Sequence, residues 1–311
     1  MFTDLILPTG IIIPPSIDDE ESVYKEHHIG QVPIIGISRH RMFTDGEGIT
    51  TLVGFSGCPL RCKFCINKAC WDDKDKPLYS PLDLYNEIKK DLLYLIATGG
   101  GITFGGGEPL LQANFIIQFL EICDNRLNIN IETSLNIPFE NLQKLLPLVH
   151  TFYIDIKDLN GNIYKKYTGF SNTLVLQNLK HIVELGFANK CVIRIPLIPE
   201  FNNLASIERS LISLRKMGFN RFDRFTYKKI ANRRTLSDQQ KSKQLSYGKY
   251  ICDILKSVRI EIAKANNIDF SPHFCHHKQC SSGTCTICEK EIEFLERDLK
   301  DKRFKGKEII I

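Results

Sequence analysis

The sequence predicts an α/β fold: an incomplete parallel barrel of six βα units, followed by a cysteine-rich C-terminal extension. From Ile49 onward, short β-branched runs alternate with longer stretches of helical periodicity, which is how strands joined by crossover helices read. Cysteines and a glycine run follow directly on predicted strand ends, where such a barrel gathers its chemistry. With 311 residues, 43% hydrophobic and 25% charged, the chain also carries enough apolar material for one large core. The expected division is an N-terminal extension over 1–34, the barrel over 35–263 and the cysteine-rich piece over 264–311. An open six-stranded sheet would give nearly the same pattern.

Taken in order, the first strand reads Thr50 to Phe55 and delivers the chain to Cys58. Ser80 then caps a helix with Pro81 in its first turn and Asp83 three residues past the cap; Leu84, Ile88, Leu92 and Leu95 continue at helical spacing to Gly99. Further strands are expected at Gly101 to Phe104, Asn128 to Glu132, Thr151 to Ile156, Cys191 to Pro196 and Arg221 to Thr226. Helices fit between them over 111–124, 139–148, 173–186 and 204–217.

The net charge of +5 comes from 41 basic and 36 acidic residues spread along the chain, a balance that does not favour nucleic acid. The apolar stretch Leu5 to Pro15 is broken by Pro8, Gly10 and Pro14 and lacks the marks of a signal peptide, and no run approaches the roughly 18 apolar residues of a membrane span. No membrane partner is therefore expected. The expected setting is cytoplasmic, where eleven cysteines read as metal ligands and buried thiols before disulfides.

Cys58, Cys62 and Cys65 stand at C-x3-C-x2-C spacing, compact enough for one loop to wrap three corners of a cubane. Three thiolates leave one iron open to chelate a cofactor; the alternatives are a zinc site short of its fourth ligand, or chance. Gly105-Gly106-Gly107-Glu108-Pro109 follows the strand ending at Phe104, so backbone there can approach a ligand closely. A glycine run by itself is more often a tight turn.

With its aromatic Phe64 before the last thiol, the cysteine motif resembles that of the radical S-adenosylmethionine (radical SAM) superfamily, and Gly105 to Pro109 resembles its GGEP motif. The likeness to glycyl-radical-enzyme activating enzymes covers about residues 35 to 205. Asp45-Gly46-Glu47-Gly48-Ile49 is similar to DGPGIR, with Glu47 for proline and Thr50 for arginine; Cys65-Ile66-Asn67 with Trp71 is close to CHNP...W. Asp155-Ile156-Lys157 resembles the DxK motif, Tyr167 to Asn172 the YTGxSN motif, and Arg194 to Pro199 with Asn202 the RxPxIPGxN motif, Glu200 replacing its glycine. Beyond 205 the match thins. The histidine of the family's LPYH stretch is absent, with Lys228 nearest its place.

The resemblance implies a [4Fe-4S] cluster on Cys58, Cys62 and Cys65 that reductively cleaves S-adenosylmethionine to a 5'-deoxyadenosyl radical, which abstracts a hydrogen atom from a glycine of a partner glycyl radical enzyme. It implies cofactor contacts from Phe64, Gly105, Gly106, Gly107, Glu108, Lys157 and Arg194, and a monovalent cation near Glu132, Thr133 and Asp155. A flavodoxin- or ferredoxin-type protein would be the reductant. Two other readings remain at this stage: radical modification of a ribosomally made peptide, and a non-catalytic, zinc-stabilised adaptor.

Cys275, Cys280, Cys285 and Cys288, with His276 and His277, crowd a short polar stretch that has no apolar core of its own and needs a staple, either an auxiliary iron-sulfur cluster or zinc. Cys123, Cys191 and Cys252 read as buried thiols, and Cys70 has no assignment. The basic run Arg221, Arg224, Lys228, Lys229, Arg233 and Arg234 reads as a solvated face or as a surface for an acidic partner.

Overall fold

A computed structural model describes residues 30–42, 44–72, 74–227, 238–273, 285–305 and 307–311. Its sheet runs in the order β3-β1-β2-β4-β5-β6-β7-β8 and is not closed. The six expected strands are β2 (Ile49–Phe55), β4 (Gly101–Gly106), β5 (Asn128–Thr133), β6 (Thr151–Asp155), β7 (Cys191–Leu197) and β8 (Phe222–Thr226), each parallel to the next. Such strands, buried on both faces, read as near-continuous apolar runs, and β2 and β4 are almost wholly buried. Two strands extend the expected set: β1 (Val32–Met42), antiparallel to β2, and the short edge strand β3 (Leu78–Tyr79).

Helices α3 (Ala113–Ile122), α4 (Phe139–Leu145), α6 (Thr173–Glu184) and α7 (Leu204–Met217) occupy the expected crossovers. Their apolar faces meet the sheet through contacts such as those of α3, whose Phe119 lies edge-on to Phe104 at 5.5 Å and whose Phe115 lies edge-on to Phe55 at 5.6 Å. The helix expected from Ser80 to Gly99 is two: α1 (Pro81–Lys89), with the Ser80–Asp83 capping box in place, and α2 (Leu92–Ala97). The break falls at Asp91, fully buried, whose carboxylate accepts from Arg39 at 2.6 and 2.7 Å and contacts His40 Nε2 at 2.8 Å, so that the chain turns inward to meet β1.

Three helices lie outside the expected pattern. Asn160 caps α5 (Gly161–Thr168) by accepting from the N–H groups of Asn162 and Ile163. The long α8 (Asp238–Ala265) and α9 (Thr286–Phe304) pack on each other, and α8 meets α2. Among the described residues no helix is long and apolar enough to cross a membrane.

Candidate active site

The strand ends of β2, β4, β5, β6 and β7 converge on one polar region. After β2 the chain turns at Gly57, whose N–H donates to Cys70 O (2.8 Å) and whose carbonyl accepts from Glu108 N–H (2.8 Å), so the cysteine loop is laced to the end of β4. The loop is also docked on α5: Arg61 N–H donates to Thr168 O at 3.0 Å and Lys63 N–H to Tyr167 O at 3.1 Å. Phe64 packs edge-on against Tyr167 and Phe201, at 6.0 and 5.5 Å, which pins the loop between its neighbours.

Cys58, Cys62 and Cys65 are half-buried on this loop. Cys70, buried at its base, bonds the Cys58 and Cys65 thiols, and that hydrogen bond is the main reason Cys65 is drawn down to about 6. Burial pushes Cys62 up to about 11, with Lys157 opposing.

The glycine run is a close-packed crossing of backbones. A Cβ on Gly106, where φ is +90°, would stand 2.6 Å from Gly54 Cα; one on Gly107 would stand 2.1 Å from Gly57 O. Asn67 Nδ2 donates to Gly106 O at 3.0 Å, joining the cysteine loop to this crossing. Glu108 points inward and is fully buried, accepting from Thr133 Oγ1 (2.7 Å), Ser134 N (2.9 Å) and Ser134 Oγ (2.6 Å). Burial raises its carboxyl above the ordinary value, and these donors only partly offset that.

Two ion pairs complete the rim. Lys157 Nζ donates to Asp155 Oδ2 at 2.9 Å and to Tyr227 Oη at 2.7 Å; burial works against the ammonium, but Asp155 and Tyr227 outweigh it and hold its pKa well above normal. Arg194 donates to Glu132 Oε1 at 2.5 Å and to Thr44 O at 2.8 Å, and lies 4.5 Å above the Tyr153 ring. Asp155 Oδ1 is buried with no hydrogen-bond partner, an acceptor left open to this region.

Thus Glu132, Thr133 and Asp155 are divided among Arg194, Glu108 and Lys157. Sequence reasoning missed Tyr227, Ser134 and Cys70. Tyr227 directly precedes Lys228, which lies outside the described residues with Lys229, Arg233, Arg234, Cys275, His276, His277 and Cys280. Ser134 directly follows the Glu132-Thr133 pair, and that adjacency was the available signal.

The family model for the radical SAM superfamily matches residues 52–209, just over half of the 311. This chain belongs to the radical SAM superfamily. Among curated relatives, a (2S)-3-sulfopropanediol dehydratase activating enzyme of Klebsiella oxytoca is 37% identical over 118 residues, covering 38% of this chain and 37% of the relative. A pyruvate formate-lyase-activating enzyme of Clostridium pasteurianum is 27% identical over 228 residues, covering 68% of this chain and 94% of the relative. A solved domain of a Bacteroides vulgatus pyruvate-formate lyase-activating enzyme shows 26% identity and a TM-score of 0.37, covering 46% of this chain and 89% of that one. The unclosed, parallel-dominated sheet is the partial barrel of this superfamily.

The radical SAM family implies a [4Fe-4S] cluster and S-adenosylmethionine, and the residues present fit both. Three thiols project from one anchored loop. Beside them lie a backbone crossing that admits no side chain and an unpartnered carboxylate oxygen suited to a cationic ligand. Among the described residues no three His, Cys, Asp or Glu side chains close on the position of a single ion. A cubane takes each thiolate on a separate iron and asks for a wider spacing than that.

Proposed function

We propose that this radical SAM enzyme is a glycyl-radical-enzyme activating enzyme, which removes a hydrogen atom from a backbone glycine of a large protein partner. The observation that carries the reading is the extent of likeness to a pyruvate formate-lyase-activating enzyme, which runs across 94% of that relative and 68% of this chain. The motifs between residues 35 and 205 that support it lie on the strand ends facing the cysteine loop.

In this reading Cys58, Cys62 and Cys65 hold the cluster and Cys70 supports two of those thiols from behind. When bound, the cluster supplies the electron that cleaves S-adenosylmethionine to methionine and a 5'-deoxyadenosyl radical. The chain's own residues bind, orient and shield. The glycine crossing brings backbone carbonyls to the methionyl amino group, and Glu108 fixes the crossing by taking the Thr133 and Ser134 donors. Lys157 and Arg194 supply fixed positive charge for the methionyl carboxylate, and each is already oriented by a carboxylate partner, so little reorganisation accompanies binding. Asp155 Oδ1 accepts from the cationic end of the ligand. A flavodoxin- or ferredoxin-type electron donor and a cytoplasmic setting belong to the same reading.

The test is electron paramagnetic resonance on anoxically prepared enzyme with S-adenosylmethionine, reductant and a candidate glycyl radical enzyme. A glycyl doublet is expected, and it should vanish when Cys58, Cys62 and Cys65 are replaced by serine. Methionine release without any partner radical, across a panel of glycyl radical enzymes, would overturn the assignment while leaving the superfamily chemistry intact.

A further inference from the structure

The cysteine loop and the helix it docks on share a surface of unpaired positive charge. Arg61, Lys63 and Lys68 on the loop, and Lys165 and Lys166 in the last turn of α5, are all exposed. The two groups adjoin, because the N–H groups of Arg61 and Lys63 donate to the carbonyls of Thr168 and Tyr167 at the end of α5. Lys166 Nζ stands 5.8 Å from the centre of the Phe201 ring, which is itself 5.5 Å from Phe64, and Lys68 lies within electrostatic reach of the Cys65 sulfur. Exposed cations elsewhere hold a carboxylate: Lys90 has Glu87 at 2.6 Å, Arg126 has Asp124 at 2.7 Å, and Arg224 has Glu208 at 2.8 Å. Among the described residues none of the five around the loop forms such an ion pair.

The sequence explains why. Acidic residues number 36 in 311, roughly one in nine, yet neither 57–71 nor 159–183 contains a single Asp or Glu. Cations near a helix C-terminus offset its dipole, which accounts for Lys165 and Lys166 but not for the three on the loop. Gathered like charges repel one another, and surfaces ordinarily relieve this by interspersing carboxylates. Their exclusion from both segments keeps the field positive around the thiols. Ile66, between Lys63 and Lys68, and Phe170, just past α5, are 68% and 44% exposed, so the same surface also offers apolar contact.

We propose that this surface, formed by Arg61, Lys63, Lys68, Lys165 and Lys166, docks an acidic one-electron carrier protein that reduces the enzyme through the cysteine loop. The inference rests on the radical SAM reading of that loop and on its need for a protein donor, and it holds whether or not the hydrogen atom comes from a glycine. Charge and chemistry coincide there: the cations are interleaved along the loop with Cys58, Cys62 and Cys65, which are half-buried, so a donor held by the cations is held against the segment that carries the thiols. One electron passes from the donor to the cluster, oxidising the first and reducing the second, and no bond forms or breaks. Complementary charge speeds such an encounter, and a small interface lets the spent donor leave.

The test uses the full chain with its cluster reconstituted anoxically, S-adenosylmethionine, and an acidic flavodoxin as the probe. Stopped-flow oxidation of reduced flavodoxin by the enzyme gives a second-order rate constant. At low salt this should fall about tenfold or more when Lys68→Glu, Lys165→Glu and Lys166→Glu are combined, and less in the matching Gln variant. Added salt should slow the unaltered enzyme and relieve the Glu variant. Calorimetry with oxidised flavodoxin, which involves no turnover, should show binding about tenfold weaker in the Glu variant. Iron content and reduction by photoexcited deazaflavin, a small donor that needs no docking surface, should stay unchanged in both variants. Equal rates for all three proteins, or a rate in the unaltered enzyme that ignores salt, would overturn the proposal. So would a Glu variant that flavodoxin reduces normally but that fails to pass the radical to a glycyl radical enzyme, because the surface would then belong to that partner. The expected rates and affinities support the docking surface even where no glycyl radical forms, a result that would count against the glycine assignment alone.

Discussion

At Gly106 the backbone takes a φ of +90° and leaves 2.6 Å between a hypothetical Cβ and Gly54 Cα, so even alanine must push two strands apart. Gly106→Ala is expected to destabilise the fold by about 3 kcal/mol or more, combining strained backbone with a clash against main chain that cannot rotate away. Gly107→Ala should cost as much through its 2.1 Å approach to Gly57 O, the carbonyl that accepts from Glu108 N–H. Thermal denaturation checks both. A melting temperature within error of the unaltered protein would show that the crossing is looser than its geometry. Tyr227 makes a different case, because it shapes the site without supporting the sheet. Tyr227→Phe keeps the ring 5.3 Å from Lys157 Nζ and removes only the 2.7 Å hydrogen bond. The expected result is a rise of about tenfold in KM for S-adenosylmethionine, the value of one hydrogen bond to a charged group, with iron content unchanged.

Between elements, the clearest coupling is the buried Asp91 carboxylate, which joins the start of α2 to Arg39 and His40 of β1. Burial alone would raise its pKa, but the hydrogen bonds from His40 and Arg39 outweigh this and hold it below the ordinary carboxylate value of 3.8. A depressed folded-state pKa stabilises the fold above the unfolded value and ceases to do so as pH falls through the folded one. Asp91→Asn is therefore expected to cost about 2–4 kcal/mol from pH 5 to 8. In urea denaturation the gap from the unaltered protein should narrow below about pH 4. A gap that stays constant to pH 2 would mean the carboxylate charge contributes nothing. The same residue marks where sequence reasoning stopped. The six parallel strands were legible because burial on both faces writes them as β-branched runs, and the α1 cap because Ser80, Pro81 and Asp83 are local signals. The α1–α2 break was not, because Asp91 answers to residues about fifty positions away. In the site, Cys58, Cys62, Cys65 and the glycine run were legible from spacing. The Lys157–Tyr227 and Arg194–Glu132 pairings required β6, β8, β7 and β5 to be set side by side.

Over the whole molecule, the C-terminal helices are tied to the barrel by a buried charge network. Arg259 on α8, fully buried, contacts Glu291 on α9 at 2.7 Å and hydrogen-bonds the phenol of Tyr94 on α2, the helix that Asp91 fixes to the sheet. Glu291 in turn accepts from His273 N–H at 2.6 Å. Removing one partner of such a pair strands the other charge in a medium that solvates it poorly, whereas removing both avoids that penalty. Arg259→Met alone is expected to lower stability by about 3–5 kcal/mol. Combined with Glu291→Gln, which keeps an oxygen for the His273 N–H, it should recover at least half of that loss. The measurement is a double-mutant cycle by urea denaturation of the full chain. If the two losses simply add, the pair is not coupled, and the helices must be held to the barrel by apolar contacts of Leu255, Ile292 and Leu295 instead, all of which lie in the same buried core.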